Sequence, residues 1–143
     1  MPGYGFEPVL VENDWYDGPR SGLAYVWGKV CYFQCVRGYS RPGDAVDEFH
    51  VWPASEEAVA WEQEQWAIFT DWNDEFEAGT TTVQTHPARG GINGRYDQLQ
   101  RLLAPHRVPP PNARRAFAEL RFMEVDKRFH RDGPDYECQW LAL

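Results

Sequence analysis

The strongest constraint in this sequence is the stretch from Ser55 to Glu77. Placed at about 100° per residue, Ala58, Val59, Trp61, Trp66, Ile68, Phe69, Trp72 and Phe76 fill roughly half of a helical wheel. Glu56, Glu57, Glu64, Asp71, Asp74 and Glu75 fill the other half. Ser55 suits an N-cap, the two glutamates after it favour the helix dipole, and Gly79 is a natural stop. A helix this long with so wide an apolar arc must lie on another layer. Three polar residues interrupt the arc: Glu62, Gln65 and Asn73. A carboxylate facing a core costs several kcal/mol unless it is compensated. Glu62 is therefore expected at the edge of a pocket, paired with an arginine, or reaching water at the rim of the helix face.

The layer under the helix is read from period-two alternation. Residues 22–36 hold two such runs around Gly28, which predicts a hairpin. Both faces of the hairpin are apolar, which places it centrally in a sheet. Residues 37–43 read as a loop and 47–52 as a third strand ended by Pro53. Residues 80–92 form a long connection, with 81–85 as a short edge strand. A second, short helix is expected over 93–103, ended by Pro105. Four prolines across 105–111 predict an extended, polyproline-like segment. Residues 113–124 are helix-forming in composition yet alternate, and a strand over 116–125 is the favoured reading. Residues 136–141 alternate as well, and Asp132-Gly133-Pro134-Asp135 is a turn signal, so these two runs are expected to form a closing hairpin.

Strands joined by hairpins, with the helices grouped between them, predict an α+β fold. It has a mainly antiparallel sheet of about five strands in two hairpins, with the long helix on one face. The length of 143 residues fits a single domain over 1–143 and buries a core without metal or disulfide help. No window is long and apolar enough to span a membrane, and residues 1–10 lack the pattern of a secretory leader. The three cysteines, Cys31, Cys35 and Cys138, are an odd count, which favours free thiols and cytoplasmic residence. Cys31 and Cys35 point to one strand face about 13 Å apart, too far for one tetrahedral ion. A cross-strand Cys138 would make a buried thiol pair with one of them.

The net charge is −8, unevenly spread. Residues 1–78 carry fifteen acidic side chains against four basic ones, and residues 79–143 carry seven against ten. Twelve of the fourteen basic residues are arginine, which suits carboxylate or phosphate recognition. The same bias arises from a GC-rich coding sequence.

Two segments are candidate sites. In Trp15-Tyr16-Asp17-Gly18-Pro19-Arg20-Ser21-Gly22, a turn former is flanked by aromatics and an Asp/Arg pair. Asp17 and Arg20 would stand at the mouth of a ligand or partner site, or the string is a rigid turn with its aromatics packed beneath. It resembles a group of uncharacterised bacterial proteins that open with a Tyr-Asp-Gly-Pro turn before a hairpin and later carry an Ala-Arg-Arg-Ala stretch, like residues 113–116 here. The resemblance covers two short stretches. It implies a strand near Ala116 and brings no activity with it.

The second segment, residues 86–96, is a glycine-rich loop entering a helix. Its backbone N–H groups could cradle an anion, with Arg89 and Arg95 adding charge and His86 titrating near neutrality. The alternative is an ordinary surface loop. It matches neither a Walker A loop nor a Rossmann turn. No serine lies in a nucleophile elbow and no two histidines have helical metal spacing, so no catalytic set, metal or cofactor is indicated.

Three functions follow. The first is a protein-binding module, immunity-type or regulatory, steered to a basic partner by the acidic helix face. It predicts a flat acidic surface and no deep pocket. The second is a small ligand-binding domain or enzyme with a pocket between sheet and helix, using Glu62, Asp17, Arg20 and His86. The third, nucleic-acid binding through the arginines of the last third, is opposed by the overall charge. Exposed tryptophan could also seal a homodimer.

Overall fold

A computed structural model describes residues 4–15, 18–36 and 47–142. The fold is α+β. Six antiparallel strands close into a barrel in the order β1 (Phe6–Trp15), β2 (Pro19–Val26), β3 (Lys29–Cys35), β4 (Asp47–Pro53), β5 (Arg114–Phe122) and β8 (Tyr136–Ala142). Two helices, α1 (Glu56–Glu77) and α2 (Gly94–Leu103), lie between β4 and β5 in sequence. A two-residue pair, β6 (Phe129–His130) and β7 (Gly133–Pro134), sits in the connection from β5 to β8.

Strand alternation sorts the apolar residues into two cores. Inside the barrel lie Phe33, Phe49, Tyr136 and Trp140, with Val9, Cys31 and Cys138. Phe33, Phe49 and Trp140 meet pairwise at ring separations of 5.6–5.7 Å in tilted or edge-on packing, the geometry aromatic pairs favour. Outside the barrel, Val11, Leu23, Tyr32 and Trp52 pack against Ala58 and Trp66 of α1 and Leu99 and Leu103 of α2. The hairpin read as two-faced is apolar on both sides for this reason.

Trp27 and Gly28 make the β2–β3 turn, both at positive φ (51° and 82°), as a two-residue hairpin of the primed type requires. Both of their N–H groups donate to the buried carboxylate of Glu7, at 2.9 Å each. That contact ties β1 to the turn.

Strand β1 did not register in the sequence pattern, because bulges break its alternation. Its register with β2 shifts between Val9 and Val11, so Val9 faces the barrel interior and Val11 faces the helices. With β1 in place the sheet has six strands and closes into a barrel, where about five strands in two hairpins were expected.

Other boundaries also differ. Residues 83–85, expected within an edge strand, form a 3-10 turn capped by Thr82. The proline-rich segment begins as a 3-10 turn, Ala104–Arg107. Strand β5 ends at Phe122, and Met123 then donates to the Asp135 carbonyl at 2.8 Å. The runs expected as a closing hairpin do pair, Phe122 opposite Tyr136. Residues 123–135 connect them and hold the small β6–β7 pair, where a tight turn at 132–135 was expected. Cys138 lies opposite Leu120 and Glu7, so it is cross-strand from neither of the other thiols. All three cysteines are unbridged. The loop expected over 37–43 lies outside the described residues.

Candidate functional site: a polar cleft between barrel and helices

The buried stripe of α1 is Ala58, Glu62, Gln65, Trp66, Thr70 and Asn73. The polar residues that interrupted the apolar arc thus sit at the centre of the packed face, while Phe76 at its margin is exposed. Glu62 is wholly buried. Arg107, from the 3-10 turn after α2, meets it with two parallel hydrogen bonds: Nη2 to Oε1 at 2.7 Å and Nε to Oε2 at 2.8 Å. The Tyr32 hydroxyl donates to Oε2 at 2.9 Å. Glu62 is therefore compensated by an arginine, which is what permits its burial.

The pair anchors a wider network. Arg107 also donates to Gln65 Oε1 at 2.6 Å and Gln100 Oε1 at 3.2 Å. Gln65 Nε2 in turn donates to Gln100 Oε1 at 2.9 Å and to the Tyr96 carbonyl at 3.3 Å. Tyr32 stacks on Trp52, ring centroids 5.5 Å apart, and Trp52 Nε1 donates to the His106 carbonyl at 3.1 Å. Barrel wall, α1, α2 and the Arg107 turn are thereby fixed to one another.

Electrostatics follow the geometry. Burial, then the Glu62 charge, pushes the Tyr32 phenol far above its usual range. Burial also raises Tyr96. Burial alone would lower Arg107, yet the hydrogen-bonded Glu62 carboxylate outweighs it and the guanidinium is held more firmly charged. Both phenols remain donors at physiological pH.

Above this network opens a cleft of about 710 Å³. One wall is the outer face of the barrel: Asn13, Ser21, Tyr32 and Gln34. The other is helical: Gln65, Tyr96, Gln100 and Arg101, with Arg107 at the base. Asp14 and Asp97 add negative charge to the lining, beside Arg101 and the Glu62-paired Arg107. The volume lies in the range of small-molecule sites. A smaller cavity of about 200 Å³ adjoins it across Gln65, Ala88 and Tyr96, and is lined by Trp66, Phe69 and His86.

The residues singled out from sequence are dispersed. Glu62 lies beneath the cleft floor. His86 borders the smaller cavity, its ring 4.4 Å from Trp72 and its Nδ1 accepting from the Ala88 N–H at 3.0 Å. Arg89 is exposed. Arg95 is held on the surface by two bonds to Glu64, at 2.6 and 2.7 Å. Arg20 contacts Cys35 Sγ at 3.3 Å and Asp47 at 3.5 Å, and does not line the cleft. Asp17 lies outside the described residues.

The glycine loop has spent two of the amides an anion would use. Gly91 N donates to Asp97 Oδ2 at 2.8 Å and Tyr96 N to Asn93 Oδ1 at 2.9 Å. Sequence reading flagged Gln65 only as an interruption and missed Tyr32, Tyr96, Gln100 and Arg107. No spacing rule connects Arg107 to a helix forty-five residues earlier.

Among the described residues, no three His, Cys, Asp or Glu side chains group as a metal site, and no helix is long and apolar enough to cross a membrane. No family model, curated protein or solved structure matches the chain.

Proposed function

We propose that the chain is a small ligand-binding domain that takes a polar, hydrogen-bonding molecule in the cleft between the barrel and its helices. The observation that carries this reading is the satisfied Glu62–Arg107–Gln65–Gln100 network beneath a concave site. A hydrogen-bonded network anchored on a buried ion pair holds its members rigid, which keeps a polar site preorganised. The cleft is lined by side-chain amides, phenols and charges of both signs, so it suits a neutral or zwitterionic ligand with both donors and acceptors.

The acidic helix face supports a basic protein partner less well. Glu64, Asp71 and Asp74, half of the acidic residues on that face, are paired with Arg95, Arg131 and Lys127. Binding is also favoured over turnover. The serine–carboxylate contact in the cleft, Ser21 Oγ to Asp14 Oδ2 at 3.3 Å, is exposed, and no histidine lines the cleft among the described residues.

Native mass spectrometry of freshly purified chain tests the reading. Ala88 is exposed on the wall shared by the two cavities. A non-covalent adduct above 16.6 kDa that is absent from Ala88→Trp is expected. An adduct retained by Ala88→Trp, or a bare 16.6 kDa species from every preparation, would count against it.

A further inference from the structure

A third cavity, of about 390 Å³, opens at one end of the barrel, where the β2–β3 turn, the end of β4 and the start of β5 meet. Its floor is made by barrel-interior residues Val26, Cys31 and Val51. Trp27 and Trp52 form walls, and Pro53 and Pro110 stand at the rim. This lining is mainly apolar, unlike that of the cleft.

Two cations stand at the same mouth, Lys29 and Arg114, both exposed. The neighbouring Arg115 is paired with Glu48. Arg114 instead lies over the Trp27 ring, 4.6 Å from its centroid. Among the described residues neither Lys29 nor Arg114 has an ion-pair partner. The nearby Glu7 carboxylate is buried and occupied by the Trp27 and Gly28 amides.

From an apolar chamber under two cations that lack an ion-pair partner among the described residues, we infer that the barrel mouth binds a small amphipathic carboxylate, apolar body inward and carboxylate at the rim. Barrel mouths are recurrent ligand sites. An apolar body gains from displacing water over the valines and tryptophans. The carboxylate gains charge-assisted bonds from Lys29 and Arg114. The site is independent of the polar cleft, although Trp52 borders both.

Octanoate, octanamide and octylammonium serve as probes, titrated into the ¹⁵N-labelled full chain. Octanoate is expected to shift the Trp27 indole and Lys29 amide signals saturably, and to bind roughly tenfold more tightly than octanamide. Lys29→Glu with Arg114→Glu is expected to remove that preference and to favour octylammonium. The milder pair, Lys29→Gln with Arg114→Gln, is expected to remove the preference without reversing it. No saturable shift at Trp27 with octanoate overturns the inference. So does an octanoate affinity unchanged in either folded double variant. Ala88→Trp, which fills the other site, should leave octanoate binding unaltered.

Discussion

Glu62 and Arg107 are forty-five residues apart in sequence and joined in space by two parallel hydrogen bonds of 2.7 and 2.8 Å. The carboxylate is wholly buried and the guanidinium one-fifth exposed. Truncating the arginine strands the more deeply buried charge. Arg107→Ala should therefore lower stability by about 3–5 kcal/mol, and Glu62→Ala by less. Replacing both with methionine should recover most of the loss, because a buried pair roughly breaks even with apolar groups of similar volume. Urea unfolding of the four proteins checks this.

His86 gives stability a pH dependence. Burial, and then Arg89, hold its pKa below the ordinary 6.5. Its Nδ1 accepts the Ala88 N–H, a bond only the unprotonated nitrogen can make. At pH values between the depressed and ordinary pKa, the unfolded chain binds the extra proton. The contribution is thus fully present above about 6.5 and is lost as pH falls through the window down to the folded value. His86→Asn, which still offers a capping oxygen, should flatten this part of a melting-temperature profile measured from pH 7.5 to 5.

The barrel thiols should be inert while the protein is folded. Burial, reinforced by Glu137, pushes Cys138 up to about 12, and burial raises Cys31 as well. Only thiolate reacts at an appreciable rate. Iodoacetamide at pH 8 should leave both unmodified in native protein and label both in guanidinium, as peptide mapping would show.

Gly22 lets β2 pack tightly against the β1 backbone. A Cβ there would stand 2.1 Å from the Val11 carbonyl oxygen and 2.8 Å from the Phe33 ring. Gly133, at φ 139°, would place one 2.1 Å from the Val9 carbonyl. Alanine at either position must push backbone aside, at a cost of about 3 kcal/mol. Exposed Gly79, with nothing near its Cβ direction, should cost clearly less on thermal unfolding.

Much of this architecture was legible in the sequence, wherever the determinants were local. Ser55 does cap α1, its hydroxyl accepting the Ala58 N–H at 3.1 Å, and Asn93 caps α2 in the same way. The Gly28 hairpin and β5 follow their alternation. What was hidden depends on contacts distant in sequence. Strand β1 carries bulges that scramble its period, and barrel closure is decided only when Phe6 meets Gln139. Glu62 was visible as a misfit on its helix, and pairing with an arginine was among the outcomes open to it. Which arginine could not be read, because Arg107 lies in a proline-bounded turn. The cleft residues Tyr32 and Gln100 alternate or repeat like ordinary core and surface positions, so nothing local distinguishes them.

The most direct test of the cleft as a ligand site is a ¹⁵N-detected screen of small polar fragments against the full chain. Hits should converge on the side-chain amides of Gln65 and Gln100, and should vanish in Ala88→Trp. Hits that scatter over the surface, or that persist unchanged in Ala88→Trp, would contradict a binding function for the cleft.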